Sequence, residues 1–262
     1  MKIAVLYMAI GRYSIYWKGF YKSCEKNFMP NVERHYYFFT DSNDIEIDKD
    51  KVTIVNQENL GWPLVACHRY KILNRLKEEY KNYDYVFFFQ SNIRFIKKIT
   101  PEEFLPKDNE KIIAVLSSAN KHNKNADLLD FSRDENSQAY IPYGTNIKYF
   151  HSGILGGKTN EFISLLDECE KMTDIDLAKD IIPCRHDESI FNKYLLNHQF
   201  KELSNNYLFP VEGKPFWKLF PVRIIQAPKT YKEGGRDWLR GITDKKQTYF
   251  DYLMEKLGIN KR

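Results

Sequence analysis

Residues 84–95 read DYVFFFQSNIRF, and the fold turns on how this stretch is understood. Four of the six residues from Asp84 to Phe89 are aromatic. The run is continuously apolar and of strand length, with no alternation of polar and apolar positions. Such runs belong to strands covered on both faces, as in parallel sheets flanked by helices. It passes straight into Gln90, Ser91 and Asn92, so a buried strand delivers polar side chains at its carboxyl end. In open α/β sheets that end faces the ligand crevice.

Outward from this strand the same signals alternate. KIAVLYMAI (residues 2–10) is another continuous apolar run, followed by YSIYWKGFYKSCEKNF (residues 13–28) with Ile15, Phe20, Cys24 and Phe28 at helical spacing. RHYYFFTD (residues 34–41) and KVTIVN (residues 51–56) read as strands, VACHRYKILNRLKEEYKNY (residues 65–83) as one helix of about five turns, and KIIAVLSS (residues 111–118) as a further strand. The order predicts a mostly parallel sheet with helices on both faces. A cleft then gathers Met8 to Tyr13, Thr40, Asp41 and Gln90 to Asn92. Residues 120–148 are polar and aperiodic, a loop or lid over it. YFHSGILGG (residues 149–157) reads as a strand closing in a Gly-Gly turn, and residues 159–176 as a helix capped by Thr159 or Asn160.

The chain has 262 residues, 43% hydrophobic and 15% aromatic, enough to bury a core in one large domain. Its net charge of +5 is uneven. Residues 213–262 hold 12 Lys/Arg against 5 Asp/Glu, a basic segment of the kind that faces an anion. It lacks the interleaved aromatic and basic motifs of a nucleic-acid binder. The four cysteines show no CxxC pair or metal spacing, which fits free thiols in a reducing, cytoplasmic setting. The amino terminus reads as a first strand rather than a signal peptide, and no run of 18 apolar residues is available to span a membrane. Dinucleotide-binding GxGxxG, P-loop and GxSxG patterns are absent.

The tightest polar cluster is CRHDESIFNKYLL (residues 184–196). Its apolar periodicity begins at Ile190, which sets His186, Asp187 and Glu188 at a helix amino terminus, where free N–H groups and the helix dipole favour anions. A charged helix cap would look the same. Neighbouring His186 and Asp187 do not converge on a metal, and no further ligand stands at suitable spacing.

Together HYYFFTD, SQAYIP (residues 137–142), YFHSGILGG and HDESIFNKYLL resemble the blocks of the histo-blood-group A/B and α-1,3-galactosyltransferases, glycosyltransferase family 6. The blocks stand in the family's order over roughly residues 3–236. The resemblance implies a GT-A fold in a single catalytic domain (residues 1–236). It also implies retaining transfer of galactose or N-acetylgalactosamine from UDP to the 3-hydroxyl of an acceptor galactose. Met8, Ala9, Ile10 and Tyr13 match the uridine-holding segment, and Arg69 the arginine that reaches the donor sugar. His186 and Asp187 match donor-sugar contacts, and Glu188 the catalytic glutamate, as nucleophile or as stabiliser of an oxocarbenium-like state. A catalytically silent sugar-binding protein is the rival reading, and the presence of Glu188, Asp187 and His186 argues against it.

One departure stands out within the resemblance. Gln90 and Asn92 occupy the positions of the two aspartates of the Asp-x-Asp metal motif, and neutral amides do not hold a divalent ion against water as carboxylates do. The expectation is therefore an enzyme with no metal cofactor, with Lys229, Lys232 and Arg236 closing over the diphosphate. His151 and Gly153 match residues that read the donor's C2 substituent. Gly153 leaves room for an N-acetyl group, so UDP-GalNAc is expected over UDP-Gal, and Gly153→Ala should shift preference toward UDP-Gal. Fucosylated galactose, as in blood-group H structures, is the expected acceptor, although Arg185 stands where the A/B enzymes carry tryptophan. Residues 237–262 form a basic extension in which Tyr249, Phe250, Leu253, Met254 and Leu257 share one helical face flanked by Lys245, Lys246, Lys256, Lys261 and Arg262. Such a helix either packs on the catalytic domain or makes a peripheral contact with the anionic inner face of a membrane.

Overall fold

A computed structural model describes residues 1–259; Lys261 and Arg262 of the predicted basic helix lie outside the described residues. Ten strands form two sheets: β1 (Lys2–Met8), β2 (Glu33–Thr40), β3 (Val52–Asn56), β4 (Tyr85–Gln90), β5 (Ile93–Phe95), β6 (Ile112–Leu116), β7 (Phe150–Lys158), β8 (Phe200–Leu203), β9 (Phe209–Pro210) and β10 (Ile224–Gln226). The central sheet has seven strands in the order β3-β2-β1-β4-β7-β6-β8, and β5-β10-β9 form a small second sheet. The central pairs are parallel except those made by β7, which runs against β4 and β6. The α/β architecture with a mostly parallel sheet is as expected.

The continuous apolar strands now have a physical explanation. Along β4, Val86 and Phe88 enter one core with Tyr70, Phe162 and Phe191, while Phe87 and Phe89 enter another with Phe20, Phe28 and Phe95. Side chains alternate between two covered faces, so both parities must be apolar. Burying one such aromatic stabilises by roughly 1.5–3 kcal/mol.

Several local expectations need correcting. The helix over residues 65–83 breaks into Leu64–Cys67, Arg69–Asn74 and Lys77–Tyr80, and at the second break the Leu73 carbonyl accepts from the Tyr80 hydroxyl at 2.6 Å. Ile15 lies exposed in a 3-10 turn (Gly11–Tyr16), and Trp17 fills the core place instead. Gly156 and Gly157 are not a turn but lie within β7. A Cβ on Gly156 would stand 2.4 Å from the Val86 carbonyl oxygen, and one on Gly157 2.4 Å from that of Lys111. Neither Thr159 nor Asn160 caps the Thr159–Leu177 helix; the Thr159 hydroxyl donates to the Tyr83 carbonyl. Residues 120–148 pack beside the cleft on their own small core around Phe131, Ile141 and Tyr149. They are anchored where buried Asp176 accepts from the Ser137 hydroxyl and the Gln138 N–H.

The extension begins later than residue 237. Leu239 is buried, and Arg12 donates to the carbonyls of Trp238 and Thr243 and pairs with Asp244. Among the described residues of the extension, the Tyr249–Lys256 helix is the peripheral part. It touches the body through Tyr249 and Tyr252 against Tyr231 and through Lys256 against Glu212, while Leu253 and the following Leu257 stay exposed. No helix among the described residues is long and apolar enough to cross a membrane.

Candidate active site

The carboxyl ends of β1 and β4, the start of the Asp187–Leu195 helix and residues 229–240 enclose a cleft of about 310 Å³. Its β1 wall is Met8, Ala9, Ile10 and Tyr13, the segment expected to hold uridine. Asp41 shapes that wall by accepting from the Gly11 N–H at 2.7 Å.

Glu188 faces the cleft at the first turn of its helix. Its Oε1 accepts from the Tyr149 hydroxyl at 2.8 Å; its Oε2 accepts from the Ser152 N–H and meets His151 Nδ1, each at 3.1 Å. Burial works against the charged carboxylate, but the donors, His151 foremost, outweigh it and hold the carboxyl below the usual range. Burial pushes the Tyr149 hydroxyl well up, so it remains a proton donor. Asn192 locks the arrangement by accepting from the Phe150 N–H and donating to the carbonyls of Phe150 and Glu188. Preceding Glu188, His186 carries φ +53°, a backbone position L-residues seldom adopt and one that marks functional sites.

Buried Asp187 pairs with Arg69, which also donates to Ser152 Oγ at 3.2 Å. Burial pushes the Asp187 carboxyl up to about 6 against the pull of Arg69. At neutral pH it stays ionised and fixes the guanidinium. His186 stacks edge-on against Trp62 at 4.9 Å; burial and the nearby arginines lower its pKa. Arg185 reaches the rim, donating through Nε to Asp130 at 3.0 Å.

Cations also line the cleft. Lys229 lies over the Tyr13 ring at 4.9 Å. Burial, with Arg240, Arg236 and Arg69 nearby, lowers its ammonium to about 8. Of the three basic residues expected here, Lys229 lines the cleft, whereas Lys232 and Arg236 are exposed and outside its lining. Arg236 pairs instead with Glu212. Arg240 lines the cleft in their place, 4.0 Å from the centre of the Trp62 ring. The Nε–H groups of Arg69 and Arg240 are buried without partners, donors ready for an anion. Sequence reasoning missed Arg240, Trp62, Tyr149 and Ser152. Tyr149 and Ser152 stand within YFHSGILGG but were given no role there, Trp62 stands in no motif, and for Arg240 the hint was the basic excess of the carboxyl-terminal segment.

Two amide assignments also change. Gln90 lines the cleft, but Asn92 turns away: its side-chain amide donates to the Ala227 carbonyl at 2.7 Å, and its backbone carbonyl accepts from the Ala227 N–H at 2.6 Å. Gly153 does not line the cleft; a Cβ there would lie 2.8 Å from Gln90 Cδ. The room beside this glycine is therefore filled by the Gln90 side chain. His151 likewise contributes through Glu188 rather than as a lining residue.

As a pair, Gln90 and Asn92 do not fit a divalent ion. Asn92 retains one buried, unpartnered neutral oxygen, and Gln90 brings a second neutral amide to the cleft. One amide oxygen and a neighbouring amide are a poor substitute for paired carboxylates around a hard cation. What the arrangement offers is an ionised carboxylate and half-buried cations lining one cleft. That suits a sugar joined to a negatively charged leaving group.

Comparisons with known proteins agree. A model of "Glycosyltransferase family 6" matches residues 1–234. The chain is 33% identical to the "O-antigen biosynthesis glycosyltransferase WbnI" of Escherichia coli, covering 80% of this chain and 88% of that one. It is 26% identical to the "Histo-blood group ABO system transferase 1" of Rattus norvegicus (88% and 67%) and 24% identical to the "Globoside alpha-1,3-N-acetylgalactosaminyltransferase 1" of Gallus gallus (89% and 69%). With a family match across nearly the whole chain, the protein belongs to glycosyltransferase family 6 and is a UDP-sugar hexosyltransferase.

Proposed function

We propose that the enzyme moves N-acetylgalactosamine from UDP-GalNAc to the 3-hydroxyl of a galactose carrying α-1,2-linked fucose, with retained anomeric configuration and without a divalent metal. The observation that carries this proposal is Glu188, ionised and immobilised by Tyr149, His151 and Ser152 in one cleft with Lys229 and Arg240. On this reading, uridine lies along Met8 to Tyr13. The diphosphate meets Lys229, Arg240 and Arg69, whose charge-assisted hydrogen bonds at roughly 1.5–3 kcal/mol each take over the neutralising role of a metal. Asp187, fixed by Arg69, orients the donor sugar.

Both Glu188 oxygens already carry donors, which lowers their nucleophilicity while fixing their charge. We therefore assign Glu188 to stabilising the oxocarbenium-like state on the face where the acceptor enters, rather than to forming a covalent glycosyl-enzyme. A covalent adduct on Glu188 found by mass spectrometry after trapping with a fluorinated donor would overturn that assignment.

Donor and acceptor choices rest on the relatives. Two are named for N-acetylgalactosaminyl or ABO transfer, and the Gln90 side chain beside Gly153 is an unbranched chain able to swing away from an N-acetyl group. UDP-Gal is the alternative donor and lactose the alternative acceptor. The test compares 2′-fucosyllactose with lactose, using both donors at equal concentration. UDP-GalNAc with 2′-fucosyllactose should be fastest and yield an α-1,3 linkage by NMR. A lactose rate equal to the fucosylated one, or preference for UDP-Gal, would overturn the corresponding choice. On the same proposal the enzyme works in the cytoplasm, with its basic terminal helix in peripheral contact with the inner face of the membrane.

A further inference from the structure

A second feature stands apart from the cleft. Residues 214–220 read KPFWKLF, with Phe216 71%, Leu219 82% and Phe220 51% exposed. Clusters of bare large apolar side chains on a folded surface mark places where something binds. The segment is held in a defined shape. Trp217 packs on the buried cluster of Phe209, Val222 and Ile225, and Lys214 lies 4.8 Å from the Phe209 ring. Backbone bonds close the turn from Trp217 to Lys214 and from Phe220 to Trp217. Three apolar side chains are therefore displayed with Lys214 and Lys218 beside them, and the seven residues include no carboxylate.

The base of this turn is Glu212. Its carboxylate pairs with Lys256 of the terminal helix and with Arg236, and accepts from the Lys229 N–H at 3.4 Å. The turn, the terminal helix and Lys229 of the cleft thus meet at one side chain. Lys256 belongs to the same helix as exposed Leu253, and the following Leu257 is exposed too.

We infer that the 214–220 turn, with the exposed face of the terminal helix beside it, is a docking surface for an anionic phospholipid bilayer. This deepens the peripheral contact proposed above by naming the principal inserting element within the catalytic body. Aromatic and leucine side chains partition into the headgroup boundary while lysines beside them engage lipid phosphates. A second copy of the chain fits less well. Facing copies would set Lys214 and Lys218 against their own equivalents, and a stable dimer needs roughly 1,200–2,000 Å² of buried surface, far beyond three side chains.

Sedimentation of the full chain with vesicles tests this. Vesicles of phosphatidylcholine with about one-third phosphatidylglycerol should carry the protein down, pure phosphatidylcholine should do so weakly, and added salt should release it. The double variant Phe216→Ser/Leu219→Ser should lower binding by about tenfold or more, and Lys218→Glu should lower it without removing any apolar surface. Neither variant should alter transfer to a soluble acceptor. Absence of binding to anionic vesicles, or equal binding by wild type and both variants, would overturn the inference. So would a dimer that the double variant dissociates in analytical ultracentrifugation without any vesicle binding. Because sedimentation is read without transfer, its failure leaves the catalytic proposal standing, and failure of transfer leaves the docking surface standing.

Discussion

Glu188 is gripped by three donors, so replacing its charge while keeping its shape isolates what that charge does. Glu188→Gln should retain UDP binding by calorimetry and lose transfer by about 10² or more; near-normal transfer would remove it from the mechanism. Two neighbours set the pH range. Asp187 loses its charge as pH falls through about 6, freeing Arg69, and Lys229 loses its charge as pH rises through about 8. The kcat/KM profile should therefore be bell-shaped with limbs near those values. A bound diphosphate favours the charged ammonium, so UDP binding at pH 8 should take up protons and its heat should vary with the buffer. In Lys229→Arg, which stays charged, that buffer dependence should vanish; its persistence would place the proton elsewhere.

At the scale of elements, two devices assemble the cleft. Close approach of β7 to β4 needs Gly156, because a Cβ would stand 2.4 Å from the Val86 carbonyl oxygen. Gly156→Ala should cost about 3 kcal/mol of stability, read as a lower denaturation midpoint. The second device is the strap of residues 227–244 across the end of β1. Tyr16 donates to the Pro228 carbonyl at 2.7 Å, while Arg12 holds Trp238, Thr243 and Asp244. Arg12→Ala should therefore raise the donor KM several-fold through looser placement of Lys229 and Arg240. Melting temperature should fall only modestly, since half-buried Arg12 serves the strap through the Trp238 and Thr243 carbonyls rather than the core. An unchanged KM would mean that the strap holds without it.

Across the whole molecule, charge is divided. Residues 213–262 carry a net +7 against about −2 for the remainder, and two of those cations, Lys229 and Arg240, face the cleft. An anionic donor is drawn toward that side, so kcat/KM should fall as salt rises. The same excess bears on the metal. With an amide at Gln90 and Asn92 bound to Ala227, turnover should be indifferent to excess EDTA and to added manganese. Activity that collapses in EDTA and returns with manganese would sink the metal-independent reading.

The sequence by itself determined what depends on local pattern: which runs are doubly covered strands, that they are mostly parallel, that the polar end of β4 faces a cleft, and that His186, Asp187 and Glu188 open a helix. Periodicity and strand polarity are written in adjacent residues, so these features were legible without coordinates, and the family blocks reinforced them. What only the tertiary structure decided depends on residues far apart in the chain. Glu188 acquires its donors from Tyr149, His151 and Ser152, and Arg240 reaches the cleft across a strap pinned by Arg12. Asn92 spends its amide on Ala227, and Gln90 fills the room beside Gly153. Side-chain direction at a strand end is set by whichever partner satisfies its hydrogen bonds, and that partner is chosen by packing rather than by spacing.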